Sequence, residues 1–215
     1  MISRFHFITH EAERFSHVDL AEFACKGGGD WIQLRVKGKN YMEWKIIAEN
    51  IKSVCRKYSA KLIINDNVRI AREIGADGVH LGKEDMDPAE ARKILGENSI
   101  IGGSANTAGD ALRLIEQGVD YIGAGPYRFT TTKEKINSVI GIKGVRQIVE
   151  ASGDRVPVIA IGGIQPEDAP VLLEAGVYGV AVCSAIANSV DKTGMTQIFL
   201  NTIYSSLPDS NREKK

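Results

Sequence analysis

One short pattern occurs four times along this chain: a glycine ends a helical stretch, a brief turn follows, and an apolar run begins. The four copies start at Gly29, Gly75, Gly118 and Gly176. Glycine suits the left-handed backbone position that closes a helix, and a short turn then leads into a strand. The pattern therefore predicts repeated units in which a β-strand follows a helix.

The spacing of the copies adds further strands to this count. Successive copies lie 46, 43 and 58 residues apart, which is more than a single strand and helix need. Each interval has room for one more strand, and apolar runs fill these places at residues 61–64, 99–102 and 156–161, with another run at residues 5–9. The sequence thus predicts eight strands, each followed by a helical segment.

Strands that alternate with helices form parallel sheets. Eight such units favour an α/β fold of the closed (β/α)8 type, the TIM barrel. An open doubly wound sheet is the alternative, but it has no need of such even repetition. We expect one barrel domain over residues 1–206 and a polar, frayed tail over residues 207–215.

The bulk composition fits a single globular domain and excludes several kinds of partner. The chain has 215 residues, with 27 Lys plus Arg balanced by 27 Asp plus Glu. This balance gives no electrostatic footprint for nucleic acid or for an anionic membrane. No apolar run approaches the roughly 20 residues of a membrane span, and the first residues do not resemble a signal peptide.

The cysteines point to a reducing compartment. Cys25, Cys55 and Cys183 lie far apart in sequence and form no CxxC pair. An odd, sparse set suits buried thiols better than disulfides or zinc. We therefore expect a cytoplasmic protein whose partners are small molecules, and the sequence leaves open whether it forms a homo-oligomer.

The second predicted strand carries an unusual polar face. Side chains alternate along a strand, so Gln33, Arg35 and Lys37 share one face, and the apolar residues between them share the other. In a barrel the apolar set packs under helices, which turns the polar set inward and toward the mouth. Buried cations are costly unless paired, and a polyanionic ligand would pair them. A solvent-facing edge strand would give the same alternation.

Aspartates follow the third and fourth strands. Asp66 and Asp85 both come just after a strand end, where barrel active sites are built. Mg²⁺ favours one or two carboxylates together with substrate phosphate oxygens. The pair therefore indicates a magnesium site, although each aspartate stands ahead of a helix and could instead belong to its N-terminal cap.

The later strand ends have the chemistry of a phosphate site. The segments that follow strands five to eight are rich in glycine and hydroxyl groups and run over residues 102–107, 125–133, 161–164 and 182–186. Barrels commonly bind phosphate on the loops after strands seven and eight. The loop between Gly125 and Gly141 is long enough to be an active-site lid. A tolerated surface insertion is the alternative explanation for this long loop. A simple helix cap is the alternative role for Thr107 in the loop after strand five.

Taken together, these segments resemble the thiamine-phosphate synthase family. The similarity covers about residues 5–190 and rests on an ordered set of motifs. They are Gln33-Leu34-Arg35-Val36-Lys37, Asn65-Asp66, Gly78-Val79-His80-Leu81-Gly82 with Asp85, Gly103-Ser104, Gly123-Ala124-Gly125-Pro126 with Thr130-Thr131-Thr132-Lys133, Ile161-Gly162-Gly163-Ile164, and Cys183-Ser184-Ala185-Ile186. The chain departs from the family at Asn106, Phe129 and Cys183.

The resemblance implies an activity and a role for each matching residue. The family joins 4-amino-5-hydroxymethyl-2-methylpyrimidine diphosphate to a thiazole phosphate and releases pyrophosphate. By this similarity Arg35, Lys37, Ser104 and Lys133 are the expected catalytic residues, and Asp66 and Asp85 the expected Mg²⁺ ligands. The expected substrate-binding residues are Gln33, Leu34, Arg35, Val36, Lys37, Asn65, Ser104, Thr130, Thr131, Thr132, Lys133, Gly163, Cys183 and Ser184.

The implied chemistry is a dissociative displacement in which the diphosphate leaves before the thiazole nitrogen attacks.

Two rival functions remain at this stage. A thiazole tautomerase on the same barrel resembles this family but has a catalytic histidine where this chain has Pro126. A non-catalytic barrel that binds a phosphorylated ligand is the other. His80 is expected to be a packed, hydrogen-bonded core residue.

Overall fold

The fold is known from a computed structural model, which describes residues 1–10, 14–129 and 138–208. Eight parallel strands close into a barrel in sequence order, and β1 pairs with β8. The strands are β1 (Phe5–Ile8), β2 (Trp31–Leu34), β3 (Lys61–Asn65), β4 (Gly78–Leu81), β5 (Ile100–Ala105), β6 (Tyr121–Ala124), β7 (Val158–Ile161) and β8 (Gly179–Val182). The predicted (β/α)8 barrel is confirmed.

Helices follow the strands and cover the outside of the barrel. Within the described ranges they are α1 (His17–Lys26), α2 (Tyr41–Lys57), α3 (Val68–Ile74), α4 (Pro88–Leu95), α5 (Ala108–Glu116), α6 (Gly141–Ser152), α7 (Ala169–Glu174), α8 (Ser184–Ala187) and α9 (Lys192–Ser205). None of these helices is long and apolar enough to cross a membrane. Ser16, Asn40 and Thr107 begin α1, α2 and α5 with capping boxes, in which side chains satisfy free amides of the first turn.

The repeated turn has a structural reason at the amino-terminal end of the barrel. In two copies the aspartate that follows the glycine joins neighbouring strands through both its backbone and its carboxylate. Asp77 donates its amide to the Leu62 carbonyl and accepts the Leu62 amide at 2.8 Å. Asp120 makes the same exchange with Ile101, whose amide lies 2.7 Å from the carboxylate. The turn therefore sets the register of the strands it connects.

The apolar residues form two separate layers. The larger lies between strands and helices, and the smaller fills the barrel interior with Ile8, Trp31, Ile63, Tyr121, Ile159 and Ala181. Burying one such side chain stabilises the fold by about 1.5–3 kcal/mol relative to exposure. Alternate residues of each strand thus belong to different layers, and the inner layer is the floor beneath the mouth.

Several boundaries differ from the sequence prediction. The strand expected to run to Lys37 ends at Leu34, so Arg35 and Lys37 lie beyond it. Cys25 and Cys55, far apart in sequence, bring their thiols together between α1 and α2, although both are free. That contact and burial raise the pKa of the Cys55 thiol. The expected tail begins at Leu207, which is buried, and its residues 209–215 lie outside the described ranges.

Candidate active site

The polar face of β2 turns inward as the alternation predicted. Gln33 is 3% exposed, and its Nε2 donates to the Tyr121 hydroxyl at 3.5 Å inside the barrel. Ile32, Leu34 and Val36 instead pack in the layer beneath the helices. Because Leu34 and Val36 turn their side chains away from the interior, any contact they make with a ligand would come from their main chain.

The two cations that follow β2 stand at the mouth of the barrel. Arg35 is partly buried, and its backbone amide donates to the Thr9 hydroxyl at 3.4 Å, which ties the segment to the end of β1. The Lys37 ammonium lies 2.8 Å from the Asp66 carboxylate. A cation and a carboxylate from neighbouring loops therefore meet at this rim.

Asp66 has a backbone conformation that is unusual for a residue other than glycine. Its φ is 64°, in the left-handed region that non-glycine residues seldom adopt. The helix that follows is capped by Asn67, whose side chain accepts the Ile70 amide at 3.0 Å. Asp66 is therefore not the N-cap, which removes the alternative explanation for its position.

Asp85 is likewise free of the capping role. Asp87 caps α4 by accepting the Ala89 amide at 2.8 Å, with Pro88 in the first turn. The Asp85 carboxylate instead folds back and accepts the Gly82 amide at 2.6 Å. That contact holds Asp85 close to the end of β4 and within reach of Asp66.

The two carboxylates interact directly and unequally. Burial would raise the pKa of Asp66, but hydrogen bonds from Lys37 and Asp85 hold that pKa below its ordinary value. Burial and the contact with Asp66 raise the pKa of Asp85 above its ordinary value. Two carboxylates this close repel one another once both are ionised, and a divalent cation would relieve that repulsion.

The donor set fits magnesium better than a transition metal. The described ranges contain no group of three or more His, Cys, Asp or Glu side chains that could hold a metal ion. A site with one or two carboxylates is what Mg²⁺ uses when substrate phosphates and water complete its shell. Asp66 and Asp85 are therefore suitable ligands for Mg²⁺.

A buried histidine links the inner layer to the mouth. His80 is 8% exposed on β4, with Nδ1 3.0 Å from the Tyr121 hydroxyl and Nε2 2.9 Å from the Ser104 hydroxyl. Asn65, 7% exposed, ends β3 and is paired in register with His80. His80 is thus the packed, hydrogen-bonded residue expected from the sequence, and it also contacts a predicted substrate-binding serine.

The loops after β6, β7 and β8 follow strands on the other side of the barrel from β2, β3 and β4. Gly163 follows β7 with φ 64°, and a side chain there would come within 2.9 Å of Arg128 Cβ. Cys183 and Ser184 follow β8 and are half-buried at the start of α8. Thr130, Thr131, Thr132 and Lys133 lie outside the described residues.

An ion pair that the sequence did not reveal joins two of these loops. The Arg128 guanidinium contacts both carboxylate oxygens of Asp168, at 2.6 and 2.7 Å. The Tyr127 and Arg128 amides also donate to the carbonyls of Ile161 and Gly162. Because 40 residues separate Arg128 from Asp168, no local pattern could have indicated the pair.

Comparisons with known proteins agree on one family. The family model described as thiamine monophosphate synthase matches residues 5–186. A thiamine-phosphate synthase of Bacteroides fragilis is 44% identical over 198 residues, covering 91% of this chain and 97% of that protein. One from Clostridium novyi is 40% identical over 186 residues, covering 86% of this chain and 90% of that protein.

The solved structures give the same picture. A thiamine phosphate pyrophosphorylase from Pyrococcus furiosus superposes with a TM-score of 0.86 at 34% identity, covering 95% of this chain and 97% of that one. A structure described as native KDPGal superposes with a TM-score of 0.71 at 14% identity, which is a likeness of fold alone.

Proposed function

This chain belongs to the thiamine monophosphate synthase family, and we propose that it is the transferase that makes thiamine phosphate. It would join 4-amino-5-hydroxymethyl-2-methylpyrimidine diphosphate to thiazole phosphate and release pyrophosphate. The observation that carries this proposal is the 44% identity to a thiamine-phosphate synthase across nearly the whole of both chains. The meeting of Lys37, Asp66 and Asp85 at one rim of the barrel supports it.

Asp66 and Asp85 would hold Mg²⁺, which when bound supplies positive charge to the diphosphate oxygens. The carboxylates are already neighbours, and the Lys37 ammonium beside Asp66 adds a second positive charge at the same rim. Arg35 and Lys133 would complete this set. Charge that builds on a leaving group is best stabilised by groups that are in place before the reaction begins.

The reaction we propose needs no side-chain nucleophile. The bond between the pyrimidine methylene carbon and the diphosphate oxygen breaks first, and the oxygen keeps the electron pair. The thiazole nitrogen then donates its lone pair to the methylene carbon. The task of the protein is to hold both heterocycles in line and to stabilise the departing diphosphate.

The remaining predicted residues divide between the two substrates. Gln33, Asn65 and Ser104, on the interior face of the barrel, would contact the pyrimidine diphosphate together with the main chain of Leu34 and Val36. We assign the thiazole phosphate to the other side of the mouth, where it would contact Thr130, Thr131, Thr132, Gly163, Cys183 and Ser184. The loop that contains Lys133 would exclude water, which would otherwise capture the pyrimidine cation.

We assign the protein to the cytoplasm, where thiols remain reduced. Cys25 and Cys55 are free thiols that stand in contact without forming a bridge. Free neighbouring thiols agree with a reducing compartment.

A single assay tests the function. Purified protein is incubated with pyrimidine diphosphate, thiazole phosphate and Mg²⁺, and products are identified by mass spectrometry. Thiamine phosphate and pyrophosphate should appear in equal amounts, and an excess of chelator should stop their formation. Binding of both substrates without product would support the non-catalytic alternative, and isomerisation of a thiazole substrate without condensation would support the tautomerase.

A further inference from the structure

A line of hydrogen bonds crosses the barrel interior and ends at Ser104. Gln33 contacts the Tyr121 hydroxyl at 3.5 Å, Tyr121 contacts His80 at 3.0 Å, and His80 contacts Ser104 at 2.9 Å. The first three side chains are at most 8% exposed, whereas Ser104 is half-buried. The buried hydrogen bonds therefore reach the mouth of the barrel through the Ser104 hydroxyl.

The donors and acceptors along the line favour one direction for its hydrogen bonds. Burial raises the pKa of Tyr121, so its hydroxyl keeps its proton. That hydroxyl accepts from Gln33 Nε2, and because a buried O–H needs an acceptor, we assign its proton to His80 Nδ1, 3.0 Å away. A neutral imidazole that accepts at Nδ1 carries its proton on Nε2. With this tautomer, His80 Nε2 donates to Ser104 Oγ.

Two glycines make the room that this arrangement requires. A Cβ atom at Gly102 would lie 2.2 Å from Tyr121 Cζ and 2.6 Å from His80 Nδ1. A Cβ atom at Gly123 would lie 3.0 Å from His80 Cε1. Glycine weakens a strand interior because it adds backbone entropy and has no side chain to pack. Glycine at Gly102 in β5 and at Gly123 in β6 therefore leaves the space that the rings of Tyr121 and His80 occupy.

We propose that His80, oriented by Tyr121, is a positioning residue that turns the Ser104 hydroxyl proton toward the mouth. Because Ser104 Oγ accepts from His80, its own O–H is directed at a hydrogen-bond acceptor of the pyrimidine diphosphate. The acceptor is a ring nitrogen or a diphosphate oxygen. This inference rests on the proposed function for the identity of the ligand, but the direction of the hydrogen bonds does not depend on it.

The first test determines the tautomer without turnover. Protein labelled with ¹⁵N at histidine is examined by two-bond ¹⁵N–¹H correlation, with His80 assigned by its loss in His80→Gln. The resonances should be those of a neutral imidazole protonated at Nε2. In Tyr121→Phe the Nδ1 partner is lost and the signature should change. An imidazole protonated at Nδ1 in the native protein would overturn the proposal.

The second test measures how His80 and Ser104 depend on each other. His80→Phe and Ser104→Ala should each lower kcat by tenfold or more, with less change in the KM for thiazole phosphate. The double variant should be no slower than the slower single variant, because residues that act as a unit are not additive. His80→Gln, which keeps a donor near the Nε2 position, should recover part of the loss. Independent, multiplying effects would refute the positioning role.

A matched control separates positioning from general packing. His6 is also buried in the barrel interior and packs edge-on against Tyr121 at 5.2 Å, but its Nε2 contacts the Ser3 carbonyl and takes no part in the line. His6→Gln should lower stability without changing the ratio of kcat to KM for thiazole phosphate. If native protein makes no thiamine phosphate at all, the proposed function fails. The His80 tautomer measured by NMR still decides the direction of the hydrogen bonds from Gln33 to Ser104.

Discussion

The Arg128 guanidinium and the Asp168 carboxylate form a two-point ion pair that joins the loop after β6 to the loop after β7. The Asp168 side chain is only 5% exposed, whereas that of Arg128 is 49% exposed. Asp168 also accepts the Gln165 amide, so the pair organises the start of the segment before α7. The ion pair thus holds Arg128 against the segment that precedes α7.

Removing the arginine should destabilise the protein measurably. Arg128→Met leaves a nearly buried carboxylate with one remaining partner, and we expect a loss of about 1–3 kcal/mol because solvent screens part of the interaction. For a chain of this size that corresponds to a fall in Tm of roughly 2–4 °C per kcal/mol. Thermal unfolding measured by circular dichroism checks the value.

The exposed Arg69–Glu73 pair on α3 provides the control for this experiment. Arg69→Met should cost less than about 1 kcal/mol, as exposed pairs usually do. A double-mutant cycle with Asp168→Asn should show coupling between Arg128 and Asp168. Additive effects of the two substitutions would contradict the role given to the pair.

The carboxylates at the mouth should respond to Mg²⁺ even without substrate. A ligand that binds only the folded state raises stability by RT ln(1 + [L]/Kd), about 2.7 kcal/mol at a hundredfold excess over Kd. Mg²⁺ should therefore raise the Tm of the native protein at neutral pH. In Asp66→Asn and Asp85→Asn the rise should be much smaller, and Na⁺ at equal ionic strength controls for screening.

The same two variants should have opposite effects on the metal-free protein. Asp66 has a lowered pKa, so it stabilises the fold above its unfolded pKa and loses that contribution as pH falls. Asp85 has a raised pKa, so its contribution is present at low pH and lost as pH rises through the folded value. At neutral pH, Asp66→Asn should lower Tm and Asp85→Asn should leave it equal or higher. Asparagine tolerates the left-handed backbone at Asp66, so the charge alone is tested.

The sequence predicted the features of this protein that follow from local periodicity. The repeated turn predicted the closed barrel. The alternation along β2 predicted that the Gln33 side chain points into the barrel. The place of His80 in the packed interior was also expected. Each of these depends on neighbours within a few residues, which a single sequence displays directly.

The features that escaped prediction all depend on how distant segments are brought together. Tyr121 meets His80 across 41 residues, and the contact needs both the strand register and two glycines on other strands. Lys37 was expected to share a mouth with Asp66, but the 2.8 Å contact depends on where β2 ends. The roles of Thr130 to Lys133 remain predictions because those residues lie outside the described ranges.

Filling the space beside the two rings should be costly. A Cβ at Gly102 would lie 2.2 Å from Tyr121 Cζ, so Gly102→Ala should destabilise by about 1–3 kcal/mol, as overpacking of a core does. Gly109 in α5 is the matched control, since its nearest neighbour would be 3.8 Å away. Gly109→Ala should be neutral or stabilising by about 0.5–1 kcal/mol. Urea unfolding measures both, and equal effects would refute the close fit around Tyr121.

Lys133 should be needed for turnover more than for folding. By analogy with the loss of one preorganised donor, Lys133→Ala should lower kcat by about 10²-fold or more. Lys93 is an exposed lysine in the last turn of α4 and provides the control, because Lys93→Ala removes the same charge at the end of the barrel opposite the mouth. Steady-state assays of thiamine phosphate formation compare the two. Near-normal turnover in Lys133→Ala would exclude the role given to it at the diphosphate.

The buried imidazole of His6 should make the fold sensitive to acid. Burial lowers the pKa of His6 to about 3, whereas the unfolded chain titrates near its ordinary value of 6.5. Between these values the unfolded state binds one more proton than the folded state, so stability falls as pH falls. One proton corresponds to a slope of about 1.4 kcal/mol per pH unit.

The variant His6→Phe tests this. Phenylalanine keeps a ring against Trp31, where the His6 ring stacks with centroids 4.2 Å apart, but it cannot bind a proton, so this slope should be missing. Urea unfolding from pH 8 to pH 4 separates the two effects, because the packing cost appears at pH 8 and the proton term only below about pH 6.5. Parallel curves for the native protein and His6→Phe would show that His6 is not buried as a neutral group.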